Sequence, residues 1–300
     1  MSSRVWIWLL ALSILWGGSF FFAKVAVSEL PPLTVVFGRV SLAAIALNLA
    51  HAAAGHTLFR RDAPWPTFLV MGLLNNLLPF SLIFWGQIHI ASGLASILNA
   101  TTPLFTVLVA HAFPDDEKMN RGKIAALLVG FAGVAVLVGP GTDTLGQSDL
   151  WSELACLGAA LSYAFAGVYG RRFQRIGIKP MAAAAAQLTA SAVLILPIML
   201  LVDRPWTFYA APSVQVSAAL IGLAFLSTAL AYVLYFRILA AVGATNLLLV
   251  TFLIPLTAVL LGATLLGEHL QSHHFAGMAL IGAGLAIVDG RIAAFLRRAE

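Results

Sequence analysis

The chain is a series of long apolar runs separated by short polar breaks. Ten runs come near the roughly 20 residues that a helix needs to cross a bilayer: 5–27, 34–54, 65–86, 92–113, 122–139, 151–170, 180–201, 214–238, 245–267 and 273–291. Polar breaks stand at 28–33 (SELPPL), 60–64 (RRDAP), 114–121 (PDDEKMNR), 139–149, 171–180 and 203–213. Those at 86–92 and 239–245 are weaker, because neither contains an acid. Short linkers predict neighbouring helices in antiparallel hairpins, with nothing left over for a soluble domain. The first run follows a single cation, Arg4, and shows no small-residue cleavage pattern before Lys24. It is therefore read as a retained helix and not a leader.

Composition narrows the class. Hydrophobic residues make up 61% of the 300 and charged residues 10%, against about a quarter charged in an ordinary soluble protein. So few charges cannot cover a soluble surface, and such hydrophobicity excludes disorder. The net charge of +5 does not point to nucleic acid, because the 17 cations sit between apolar runs and form no basic stripe. They read instead as orienting charges. With a cytoplasmic N-terminus, fourteen fall inside: Arg4, Arg60, Arg61, Lys118, Arg121, Lys123, Arg171, Arg172, Arg175, Lys179, Arg237, Arg291, Arg297 and Arg298. Lys24 and Arg204 fall outside, and Arg39 lies within the second run. This alternation predicts an all-α membrane protein of ten transmembrane helices, both termini cytoplasmic, with Trp206, Phe208 and Tyr209 in an outer aromatic belt. The lone cysteine, Cys156, excludes an intrachain disulfide and reads as a small buried hydrophobe.

The halves resemble each other. Pro103 precedes Asp116 by thirteen residues, and Pro255 precedes Glu268 by thirteen. Lys24 and Arg171 close the first and sixth runs, Trp16 and Tyr163 share that offset, and Gly130 pairs with Gly282. Five helices per half is an odd number, so a second half over 141–300 enters the bilayer inverted relative to the first over 1–140. Inverted repeats recur in secondary transporters, with the site near the midplane between the halves.

Several residues could carry chemistry within that frame. Pro103 and Pro255 lie mid-run and free the carbonyls of Asn99 and Thr251; Pro79 does the same to Asn75. A freed carbonyl in lipid must face protein, water or a ligand. Helical spacing places Trp16 with Phe20, Asn76 with Phe80, Tyr163 with Gly167 and Thr228 with Tyr232 on shared faces. A cavity lined this way suits a small amphipathic, planar molecule; ordinary packing is the competing reading. Two readings also stand for Arg39, a buried charge: attraction of a substrate carboxylate, or a structural clamp that snorkels or binds carbonyls. Lys24, nearer the interface, is expected to snorkel. All twelve acids lie in loops or near helix ends, so no mid-membrane carboxylate offers ion coupling. His269, His273 and His274 lack further ligands, so no metal is expected. Gly17-Gly18-Ser19 has no evident base beside it and no Walker loop is present, so neither nucleophilic catalysis nor ATP drive is expected.

At these residues a resemblance becomes visible. WGGSFFFAKVAVSELPPLTVVFGRV resembles the opening of the drug/metabolite transporter superfamily, EamA type. VGATNLLLVTFLIPLTAVLLGATLLGEHL is similar to its Pro-to-Gly-Glu segment, and SGLASILNATTPLFTVLVA to the fourth helix of the branch containing the YddG-type aromatic amino-acid exporters. Asp116 stands where many members carry Gly-Glu. The resemblance implies a 5+5 inverted repeat, a central cavity, and metabolite export across a bacterial inner membrane, with no cofactor and no enzyme activity. The expected substrates are amino acids, aromatic and other large apolar ones preferred; purines and drug-like cations compete. Trp16, Phe20, Asn76, Phe80, Tyr163 and Tyr232 are expected to contact the substrate's side chain, and Asn75, Asn99 and Thr251 its polar groups, beside Pro79. Gly17, Gly18, Gly243, Pro103 and Pro255 are expected to let helices bend or slide. Two readings from other classes are a membrane enzyme acting on a lipid, for which no clustered acids, His or Ser stand at one depth, and an assembly subunit. Small-residue faces such as Ala126/Gly130 offer a homodimer contact.

Overall fold

The computed structural model describes residues 2–55, 63–112, 119–138, 147–208, 210–247 and 249–288, without the side chains of 147–149, 244 and 245. Asp116, Arg60, Arg61, Lys118, Tyr209, Arg291, Arg297 and Arg298 lie outside the described residues.

Regular structure among the described residues is all helical. Eight helices are long and apolar enough to cross a membrane: α1 (Ser3–Ala26), α2 (Pro32–Ala53), α3 (Trp65–Gly86), α4 (Ser92–Ala112), α5 (Arg121–Val138), α6 (Gln147–Arg175), α7 (Pro180–Val202) and α8 (Val214–Gly243). Two shorter apolar helices of 17 residues follow, α9 (Leu249–Leu265) and α10 (Ser272–Val288). Large apolar side chains such as Ile7, Leu49, Leu128, Val193 and Leu201 cover the outside. Only lipid solvates such a surface, so this is a multi-pass membrane protein.

Helix limits depart from the apolar runs where charge or glycine intervenes. α6 runs past residue 170 to Arg175, because cations such as Arg172 and Arg175 are favourable against the negative end of a helix; hydropathy marks the lipid edge and not the helix end. α8 runs past 238 to Gly243, whose φ of 75° and ψ of 174° belong to a region that only glycine adopts readily.

The helices are interrupted mid-length. α3 widens to a π-helix over Leu73–Leu77, just before Pro79, and α8 does so over Gly222–Leu230. Such bulges are frequent at functional sites. α4 breaks at Ala100–Thr101, between Ser92–Asn99 and Thr102–Ala112. Pro197 and Pro255 lie inside α7 and α9.

Three helix pairs run antiparallel. In α2 and α7, Thr34 meets Asp203 and Asn48 meets Thr189. In α4 and α9, Ser92 lies beside Gly262 and Gly93 beside Val259. In α5 and α10, Gly133 meets Gly277 while Gly284 meets Ala126 and Gly130. Further contacts join α1 to α8 and α9, and α6 to α3 and α4; α2 also meets α8, and α3 meets α7.

The α5–α10 pair rests on absent side chains. A Cβ on Gly133 would lie 2.8 Å from the Gly277 carbonyl oxygen and 2.8 Å from the Ile281 nitrogen, both immovable backbone. The Ala126/Gly130 face expected to receive a second copy is therefore covered by α10 of the same chain. Gly282 has nothing within 4 Å of its Cβ position, so it is not the packing counterpart of Gly130. Replacing Gly133 by Leu should cost about 1–3 kcal/mol or more through overpacking, whereas Gly282→Ala should be neutral or slightly stabilising. Thermal unfolding of the detergent-purified protein checks both.

Candidate substrate cavity

The interruptions gather around one space. A cavity of about 550 Å³ lies between the helices, with walls from α1, α2, α3, α4, α6, α7, α8 and α9. At one end it reaches the turn between α6 and α7 through Gly170, Phe173, Gln174, Ile178 and Pro180, of which Gly170 is partly exposed and Gln174 and Pro180 are exposed. The cavity opens there.

At the opposite helix ends, side chains cap helix termini on neighbouring elements. Lys24 Nζ donates to the carbonyls of Gln87 (2.6 Å) and Ile90 (2.9 Å), at and just beyond the end of α3. Glu268 accepts from Ser92 N (2.7 Å), Ser92 Oγ (2.8 Å) and Gly93 N (3.2 Å) at the start of α4. Gly262 leaves the room for this, because a Cβ there would strike the Glu268 carboxylate. Asp203 accepts from Thr34 N (2.6 Å) and Thr34 Oγ1 (2.8 Å) at the start of α2. Glu29 accepts from Ser213 N (2.8 Å), a bond that holds its carboxyl below the ordinary carboxylate range. A carboxylate on the free N–H groups of a helix start is favoured by hydrogen bonding and by the helix dipole. Lys24 thus reaches two backbone carbonyls in the turn that follows α3.

Of the residues expected at the site, Trp16, Phe20, Asn75, Phe80, Asn99, Tyr163, Tyr232 and Thr251 all line the cavity, as do Arg39, Pro103 and Pro255. Asn76, Pro79, Gly17, Gly18, Gly243 and Lys24 are not among the lining residues. Asn76 is fully buried and donates to Ser191 Oγ at 3.0 Å. A Cβ on Gly17 would lie 2.7 Å from Thr257 Cβ, so Gly17 serves close packing of α1 on α9. The carbonyl of Asn99, freed by Pro103, accepts from Thr102 Oγ1 at 2.7 Å; a neighbouring hydroxyl takes the place expected for a ligand.

The cavity wall holds two polar groupings. Asn75 Nδ2 donates to Gln187 Oε1 (3.3 Å) and Tyr232 Oη (3.2 Å), and Gln187 Nε2 donates to the same phenol at 3.3 Å. Arg39, buried on α2, donates from Nε to Thr228 Oγ1 at 2.9 Å. Its guanidinium carbon stands 3.7 Å from the centre of the Phe80 ring and 5.7 Å from that of Phe84, a cation–π arrangement. Apolar walls include Trp16 against Tyr235, with ring centres 5.5 Å apart, and Tyr232 stacked with Phe236 at 6.1 Å.

Gln87, Gln187, Ser227, Phe84 and Tyr235 were missed as wall residues in the sequence. Gln187 carried a usable signal, a lone amide in the middle of an apolar run. Gln87 looked like part of a polar break, yet it is fully buried and donates to the Phe20 carbonyl at 2.8 Å. Among the described residues no group of His, Cys, Asp and Glu is arranged to hold a metal ion.

Comparison with known proteins places this architecture. A family model described as the EamA-like transporter family matches residues 4–139 and 150–288. The chain is 30% identical over 295 residues to the uncharacterized transporter YvbV of Bacillus subtilis (strain 168), covering 96% of this chain and 92% of that one. It is 27% identical over 294 residues to a probable terminal-alkyne amino-acid exporter of Streptantibioticus cattleyicolor, covering 95% and 93%. A solved crystal structure shares the fold at a TM-score of 0.66 and 20% identity, over 96% of this chain and 98% of that one. With the family model spanning nearly the whole sequence, the chain belongs to the EamA-like transporter family.

Proposed function

We propose that this protein is a secondary transporter that exports amino acids, aromatic and other large apolar ones preferred, across a bacterial inner membrane by alternating access. Its frame would be ten spans in two inverted five-helix repeats, 1–140 and 141–300, with both termini cytoplasmic. The contact pattern supports the repeat. Exchanging each helix for the one five places along maps α1–α9 onto α6–α4, α3–α6 onto α8–α1, and α2–α8 onto α7–α3. It maps α2–α7, α4–α9 and α5–α10 onto themselves, and those three pairs are antiparallel, as an inversion requires. Within α5 and α10 the contact Gly133–Gly277 maps onto Gly284–Ala126, an offset of 151 residues. A family model matching each half separately is consistent with this.

The observation that carries the functional reading is the cavity. It is lined by aromatic rings and a few amides and hydroxyls, it reaches exposed residues at the turn between α6 and α7, and the helix ends on the other side are tied by capping side chains. Under the positive-inside orientation the open end is cytoplasmic and the capped end external, so this conformation faces inward. An aromatic wall with few polar groups suits a planar amphipathic solute. The relative named as an amino-acid exporter supports the substrate class. Drug-like cations fit less well, because the cation on the wall, Arg39, would repel them. No carboxylate is among the described lining residues, which favours exchange or facilitated release over proton antiport.

Proteoliposomes loaded with unlabelled phenylalanine should accumulate labelled phenylalanine by counterflow. Inert vesicles across a panel of amino acids would contradict the reading. Trp16→Ala should raise KM about tenfold. Asn76→Ala should leave KM within about twofold while lowering thermal stability by about 1–3 kcal/mol, since it strips a buried partner from Ser191.

A further inference from the structure

Among the described lining residues, Arg39 alone carries a fixed charge. Only 5% of its surface is exposed, and it lies seven residues into α2, about 10 Å from that helix end at 1.5 Å per residue. A guanidinium has five N–H donors. Only Nε is spent, on Thr228; the terminal N–H groups bond to none of the described residues. Phe80 and Phe84 attract the charge through their faces, but a ring face does not replace acceptors lying in the guanidinium plane. A buried charge left with this much unused donor capacity is costly without a partner.

Unspent acceptors sit on the same cavity. Gln87 Oε1, Asn99 Oδ1 and Ser227 Oγ are buried without a hydrogen-bond partner, and all three residues line it. The Gln87 amide cannot simply be turned round, since its Nε2 donates to the Phe20 carbonyl and reversal would set two oxygens together. Asn75, by contrast, has both its amide hydrogens committed, to Gln187 and Tyr232.

We propose that Arg39 is the carboxylate anchor of the cavity, its terminal N–H pair gripping the substrate's two oxygens, while Gln87 and Asn99 accept from the neighbouring ammonium. The inference rests on reading the cavity as the substrate passage, and it moves the head-group site from Asn75 and Thr251 to Arg39. A planar fork of donors matches a carboxylate in two parallel bonds. The aromatic remainder of the substrate is left to Trp16, Tyr163 and Tyr235.

The test uses the full-length protein in proteoliposomes with labelled phenylalanine. Phenylalaninamide, which keeps the ring and the amine but lacks the carboxylate, should compete at least about tenfold more weakly than phenylalanine. Arg39→Gln should weaken phenylalanine by a similar factor and abolish the preference, and Arg39→Lys should restore part of it. Equal competition by the two compounds in the unmodified protein overturns the proposal, as does an Arg39→Gln variant that still prefers phenylalanine. If that variant does not fold, the comparison in the unmodified protein decides. If phenylalanine is not exchanged at all, the transport reading for amino acids fails, and the anchor is judged by tryptophan fluorescence with 3-phenylpropionate and its amide. A response to the acid alone supports Arg39 as anchor; equal responses, or none, overturn it.

Discussion

A bilayer offers no water to a broken helix, and that constraint organises this molecule. Three of the interruptions are closed by side chains. Ser162 Oγ donates to the Leu74 carbonyl at 2.7 Å in the π-segment of α3, and Ser191 Oγ to the Gly72 carbonyl at 3.0 Å beside it. Thr228 Oγ1 donates to the Leu223 carbonyl at 2.7 Å in the π-segment of α8. Thr102 closes the break in α4. Helices can therefore bend around a cavity without leaving bare backbone in lipid.

The same economy ties the helix ends on one side of the molecule. Glu268 and Asp203 each hold a helix start on the opposite half of the chain, and Glu29 holds Ser213 in return. Under the proposed alternating access these bonds would part, while small-residue contacts such as Gly133 on Gly277 keep α5 and α10 together. Thr228 joins the two themes. It accepts from Arg39 and donates into the π-segment, so the charge on the wall and the loosened turn of α8 share one hydroxyl.

Much of this was legible in the sequence. Run length gave the helices, and proline with helical spacing placed Trp16, Phe20, Asn75, Asn99 and Tyr232 on one cavity, because these rules are local. What escaped was set by tertiary contact. Asn76 and Asn75 are neighbours in sequence, yet rotation about the helix sets Asn75 on the wall and Asn76 behind it, on Ser191 and the back of the Tyr232 hydroxyl. The π-segment of α8 contains no proline and gave no warning. The partners of Lys24 are not legible from its own run, because the carbonyls it meets, of Gln87 and Ile90, lie more than sixty residues away. Gly130 and Gly282 were paired by offset, but it is contact with the opposite helix that selects Gly133 and Gly284.

The inverted frame is the claim on which the cavity, its open side and its use all depend. Ser28, in the turn after α1, and Ile176, in the turn after α6, are exposed and would occupy corresponding places in the proposed repeat. Cys156 is fully buried, so the native background should stay unlabelled. In intact cells an impermeant thiol reagent should label Ser28→Cys at once and reach Ile176→Cys only after permeabilisation; labelling of both from the same face would contradict the account.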